Sequence, residues 1–243
     1  MANLFQIIFK SMGRPETSYL NTGIYSVTEA FALTRVSSSR IRRWLRGYHF
    51  KSRSKHYSSP PLWSGQLEPV ENNLALGFLD LMEIRFVDAF LKHGVSWSMI
   101  HKAREKAAER FPEVSHPFCT NRFVTDGREI FVELQHETSE PGLLEIVQNQ
   151  KVFGEIVRPF LKEFDFGEGN ILERWWPLGK DRLVAIDPRR NFGQPTIFKD
   201  GVPTKILATS LNANGSVEEV AEWFEVSPQS VADAAEFEQQ LAA

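Results

Sequence analysis

Eight cations, Arg35, Arg40, Arg42, Arg43, Arg46, Lys51, Arg53 and Lys55, stand between Ala30 and Leu67 with no acidic residue among them. In a chain of net charge −3 such segregation points to a polyanion, and the obvious one is a phosphate backbone. No comparable set serves covalent chemistry. The sequence has no glycine-rich nucleotide loop, no His-Glu-x-x-His and no serine elbow. Glu218 and Glu219 are adjacent, diverge on a helix, and read as capping residues rather than an acid–base pair. Cys119, with His116 and Asp126 near it in sequence, has the makings of a nucleophile and helpers. A thiol within a β-hairpin is more often packed, and that reading is preferred. One cysteine and six histidines exclude an intrachain disulfide and zinc-finger spacing. The expectation is a non-enzyme with no cofactor and no metal.

Helical signals position the cations. Ser26 followed three residues later by Glu29 is a capping box, and Val27, Ala30 and Phe31 supply an inward face behind it. A second helix is expected from Ser37 or Ser38 to about Arg46, stopped by Gly47. On it Ile41, Trp44 and Leu45 face inward at i, i+3 and i+4. Ser39, Arg40, Arg42, Arg43 and Arg46 are left for a major groove, where guanidinium groups grip guanine edges or phosphates. Tyr48 to Gly65 interleaves aromatics with Lys51, Arg53, Lys55 and Tyr57. It reads as a hairpin, or wing, holding the backbone beside the groove. A solvated basic helix and an ordinary polar loop are the plainer alternatives.

The remaining chain divides by pattern. Residues 1–22 read as an arm. Leu74 to Ala108 carries two helices separated by Gly94 and Ser96, with an apolar face that serves either the core or a dimer interface. Phe118 to Leu134, with Asp126-Gly127 as turn, reads as a β-hairpin within a β-rich stretch covering 113–185. In that stretch Trp175 and Trp176 are adjacent on an extended segment and point to opposite faces: either one is core and the other an exposed candidate for partner binding, or both are buried by neighbouring elements. From Ile206 onward there are seven acidic residues and no Lys or Arg. Three helices fit there, around Ile206–Leu211, after Ser216 and after Ser227-Pro228, and their acidity would repel duplex DNA. The fold class expected is α+β: mainly α, a β-rich middle, and a helical C-terminal unit over 186–243. No apolar run approaches the length of a membrane span, the first ten residues lack a signal-peptide pattern, and cysteine usage fits a reducing cytoplasm.

Two resemblances accompany these readings. The string Tyr25-Ser-Val-Thr-Glu-Ala-Phe-Ala-Leu-Thr-Arg-Val-Ser-Ser-Ser-Arg-Ile-Arg-Arg-Trp44 and the Tyr57-bearing wing resemble the MerR-type DNA-binding domain. Phe90-Leu-Lys-His-Gly-Val-Ser-Trp-Ser-Met-Ile100 is similar to that family's following helix pair, so the match spans roughly 23–110, within a unit expected over 23–112. In that family the residues matching Arg42 and Trp44 serve backbone contact and packing. The chain departs in having Arg43 where an aromatic is usual, and no effector-binding domain is recognisable. Val184-Ala-Ile-Asp-Pro-Arg-Arg-Asn-Phe-Gly-Gln-Pro-Thr-Ile197 and Gly201-Val-Pro-Thr204 resemble a trihelical module of VapB-like antitoxins, which are encoded with PIN-type ribonuclease toxins. These resemblances imply a dimeric antitoxin that binds its toxin and its own palindromic operator. The other reading is a MerR-like regulator whose C-terminal part binds a different protein or a ligand.

Overall fold

Serine and glycine set the boundaries of the cationic block. In the computed structural model, which describes residues 19–52, 55–138 and 150–243, strand β1 (Tyr25–Ser26) runs straight into helix α1 (Val27–Thr34). Ser26 Oγ accepts from the Glu29 amide at 3.1 Å and the Glu29 carboxylate accepts from the Ser26 amide at 2.7 Å, so the capping box is formed. Helix α2 (Ser38–Arg46) follows a short turn, with the Ser37 hydroxyl accepting from the Arg40 amide. Gly47 ends it at φ +69°, where a Cβ would lie 2.5 Å from the Ser59 carbonyl oxygen, so no other residue fits without displacement. An antiparallel hairpin of β2 (Tyr48–Ser52) and β3 (Lys55–Ser59) then runs from the pair Tyr48↔Ser59 to Ser52↔Lys55. Apart from 19–22, the arm expected over 1–22 lies outside the described residues.

Strand β4 (Ala75–Leu76) pairs with β1 and leads into α3 (Phe78–Lys92); Ser96 then caps α4 (Trp97–Arg110). The α3 face that sequence left open between core and dimer contact is covered within the chain. Phe78, Leu81, Met82, Ile84, Phe86, Val87 and Phe90 are all buried. Phe86 stacks on Phe160 at 4.1 Å and Phe90 lies 5.0 Å from Phe131, so helices from the middle of the chain supply the cover.

That middle corrects one expectation. Phe118 to Leu134 is not a hairpin. A 3₁₀ turn (Pro117–Cys119) leads into α5 (Asn121–Asp126) and α6 (Arg128–Thr138). Gly127 has helical dihedrals, φ −60° and ψ −19°, rather than the left-handed geometry of an Asp-Gly hairpin turn. The buried residues Phe123, Ile130, Phe131 and Leu134 recur at helical spacing, and this stripe against α3 outweighs the β-propensity of individual residues. The 113–185 stretch is therefore mostly helical, continuing in α7 (Gln150–Glu163). Its strands are the short pair β5 (Phe164–Phe166) and β6 (Leu172–Trp175) plus β7 (Val184–Ala185), which pairs with β8 (Thr196–Ile197).

The C-terminal helices are α8 (Thr204–Asn214), α9 (Val217–Trp223) and α10 (Pro228–Ala242), capped at α9 by Ser216 and at α10 by Ser227 with Pro228 in the first turn. The fold is α+β, with helices dominant and, among the described residues, every sheet a two-stranded antiparallel pair. One continuous set of buried residues joins Tyr25 to Phe237. Helix α10 packs on α1. The Ile24 amide donates to the Phe192 carbonyl at 2.9 Å, the Tyr25 hydroxyl donates to the Gly193 carbonyl at 2.7 Å, and Arg35 donates to the Gln240 carbonyl.

Candidate nucleic-acid interface

Helix α2 owes its orientation to its apolar side. Ile41, Trp44 and Leu45 are buried, and Trp44 stacks on Trp97 of α4 at 5.8 Å. The opposite side carries Ser39, Arg40, Arg42, Arg43 and Arg46, all exposed. They are not equivalent. Arg40 donates to Asp88 of α3 at 3.1 Å and lies 5.7 Å from the Trp44 ring centre, so it braces α2 against α3 while half its side chain stays in solvent. Asp88 is itself nearly buried and also pairs with Lys92 at 2.7 Å. Arg46 donates to the Asn72 carbonyl at 2.6 Å. Arg43 sits 5.4 Å over the Tyr48 ring. Arg42 makes no hydrogen bond or ion pair among the described residues.

The hairpin continues the cationic surface. Lys51 and Tyr57 are exposed on it, Lys55 begins β3, and Arg53 lies outside the described residues. The sequence reading of the wing includes His56 but not Phe50 or His49. Phe50 is the Cα partner of Tyr57, and that pairing was readable once two strands flanked Arg53-Ser54, because residues equidistant from a tight turn face each other. Asp88 had no local signal, since it lies 48 residues from the arginine it holds.

Of the tryptophan pair expected to serve partner binding, Trp175 is internal. Trp175 is 4% exposed, donates to Glu163 at 3.0 Å and carries the Arg85 guanidinium 4.1 Å above its ring. Arg85 completes the triangle by pairing with Glu163 at 2.8 Å. Trp176 is half-buried against Phe198 and donates to Asp165 at 2.7 Å. The tryptophan that does face solvent is Trp223, at the end of α9. Cys119 is no nucleophile: it is buried, its thiol donates to Glu83 at 3.4 Å, and burial together with that carboxylate pushes its pKa well up. His116 is engaged elsewhere, between Asp80 and Ser115.

Among the described residues no group of three or more His, Cys, Asp and Glu side chains could hold a metal ion. No described helix is long and apolar enough to cross a membrane. A groove of about 830 Å³ lies where α1 meets the C-terminal helices, walled by Leu33, Phe192, Pro195, Ile206 and Leu241.

Comparison with known proteins adds three findings. Residues 184–237 match a family described as a protein of unknown function, DUF433. Over 221 residues the chain is 26% identical to a protein of Mycobacterium tuberculosis (strain ATCC 25618 / H37Rv) named "Putative antitoxin VapB45", covering 87% of this chain and 92% of that one. The crystal structure of Rv2018 from Mycobacterium tuberculosis shares the fold, with a TM-score of 0.68 at 22% identity over 88% of this chain and 98% of the other. The chain is thus similar along most of its length, helix pair and C-terminal helices together, to a protein that carries an antitoxin's name.

Proposed function

We propose that this chain is the antitoxin of a type II toxin–antitoxin pair. It neutralises a PIN-type ribonuclease by direct binding, and as a dimer it represses its own operon by binding palindromic operator DNA. The observation that carries the DNA half is the outer side of α2, where Arg42 and Arg43 project beside a basic hairpin with no acid between residues 30 and 67. The helix, turn, helix and hairpin act as a winged helix-turn-helix of MerR type: α2 enters the major groove and Lys51 and its neighbours hold phosphates. The toxin half is supported by the similarity to a protein named as an antitoxin, and by Trp223, Ile206 and Phe192, which expose apolar surface on the acidic C-terminal side.

The test has two arms. Replacing Arg42 and Arg43 with alanine removes base or phosphate contacts, each base-reading pair contributing about 1–3 kcal/mol, so affinity for the duplex upstream of the gene falls steeply. The same variant still captures the product of the adjacent gene on co-expression. Unchanged DNA affinity at moderate salt rejects α2 as the reading helix. A neighbouring product that neither co-purifies nor is inhibited rejects the antitoxin half.

The groove between α1 and the C-terminal helices favours a second reading, a regulator that senses an apolar ligand and has no toxin. The gene's surroundings separate the two: a short neighbouring frame with PIN-type acidic motifs belongs to the first reading only.

A further inference from the structure

The hairpin after α2 has two unlike faces. Side chains alternate along a strand, and the register pairs Phe50 with Tyr57 and Lys51 with His56. Tyr48, Phe50 and Tyr57 therefore share one face, and His49, Lys51 and His56 the other. On the aromatic face the rings of Phe50 and Tyr57 stack 5.3 Å apart at 17°, and each residue is 45% exposed. Tyr48 continues the row at 5.6 Å from Phe50, and Arg43 of α2 lies over Tyr48. A ladder of π-surface thus starts at the outer side of α2 and ends in two rings open to water.

A cross-strand aromatic pair steadies a hairpin, which accounts for the stack. It does not account for two half-bare rings on the face that begins under Arg43, in a hairpin whose other face carries Lys51 and His56 and whose segment holds no acid. Cations select a polyanion; bare rings need an apolar surface on that same molecule. Duplex DNA offers both, because deoxyribose rings line the rims of its minor groove beside the phosphates. Two stacked rings with centres 5.3 Å apart are, with their own thickness, too wide to enter a groove about 6 Å across. They suit its rim.

We propose that Phe50 and Tyr57 form an apolar pad that seats on the deoxyribose rim of the minor groove flanking the α2 site. This rests on the DNA-binding reading above. The pad gives the hairpin a share of affinity that salt does not screen, next to arginines and Lys51 whose contribution salt does screen.

The experiment is fluorescence anisotropy of the full chain against the labelled duplex immediately upstream of its start codon, titrated across a salt series. Phe50→Thr/Tyr57→Thr keeps β-branched residues in both strands, so the hairpin persists. Thermal melting and sedimentation without DNA check that fold and oligomeric state are kept. The pad predicts that the double variant binds roughly tenfold or more weakly at every salt concentration, from the apolar area left bare. Its slope of log affinity against log salt matches wild type. Lys51→Ala instead lowers that slope by about one. The proposal is overturned if the double variant binds as wild type does, if its loss appears only as a changed slope, or if it alters the oligomeric state, which would make the pad a contact between copies. A wild-type chain that binds no duplex even in dilute buffer overturns the DNA reading as well. Loss in Lys51→Ala with none in the double variant overturns the pad alone.

Discussion

Asp80 accepts four hydrogen bonds with no exposure to water: from Trp63 Nε1 and His116 Nε2 at 2.8 Å on one oxygen, and from the Gln66 and Gly77 amides at 2.9 and 2.8 Å on the other. It caps α3 and anchors the loop behind the hairpin at once. Asp80→Ala should cost about 3–5 kcal/mol, read from urea unfolding, because buried donors are left without a partner. A loss below one kcal/mol, roughly what a surface change costs, would remove Asp80 from that role. Its neighbour Glu83 has a pKa raised by burial, against the opposing pull of His116 and Arg104. As pH rises above 4.5 the unfolded chain loses this proton first. The stability contributed by neutral Glu83 is therefore full below that pH and is lost as pH climbs through the higher folded value. Glu83→Gln should flatten that decline in a series of urea midpoints, and an unchanged pH slope would refute the shift. At this scale the sequence declared the cations and concealed their counterparts. Eight like charges in a row form a local pattern, whereas Asp88 and Asp80 meet Arg40 and His116 only through the packing of α3.

Helix starts were legible wherever a side chain writes the boundary itself. Ser26, Ser37, Ser96 and Ser227 each cap the helix they announce. Ser227→Ala should therefore cost about 1 kcal/mol in thermal unfolding with no effect on DNA binding, since α10 stands away from the cationic hairpin. Gly47 was read as a stop, yet it also sets the angle of the hairpin, through its positive φ and its close approach to the Ser59 carbonyl. Gly47→Ala should destabilise by about 1–3 kcal/mol and weaken DNA binding together, because the pad and the arginines are then misaligned. Wild-type affinity in a destabilised Gly47→Ala chain would show that hairpin angle is irrelevant. The elements misread were α5 and α6. Asp-Gly between β-branched and aromatic residues is a hairpin signal on a local reading. What decides the matter is the α3 surface, which presents Phe86 and Phe90 to a helical stripe from another part of the chain.

On the scale of the molecule, the acidity from Ile206 onward sets the C-terminal helices apart from the cationic block as a unit that duplex DNA would repel. The three C-terminal helices do form, yet the unit over 186–243 closes onto β1 and α1 through the Tyr25–Gly193 and Arg35–Gln240 hydrogen bonds and the packing of α10 on α1. Tyr25→Phe leaves the Gly193 carbonyl without this donor in a buried site, and should cost about 1–3 kcal/mol in urea unfolding. A chain ending at residue 203 should lose cooperative melting of the whole N-terminal half, and duplex binding with it. Full operator affinity in that truncated chain would show the two halves to be independent. Charge patterning is written residue by residue and survives in the sequence; adjacency of residues 168 apart does not, and so the contact was invisible there.

The distance between those contacts along the chain also sets an order of events during translation. Arg35 leaves the ribosome 205 residues ahead of the carbonyl it binds, a delay of about 10–40 s at ~5–20 residues per second. Through that interval α1 waits without the cover of α10. On the proposed reading, a message cleaved before the codons of α10 would yield no fragment competent to bind duplex DNA.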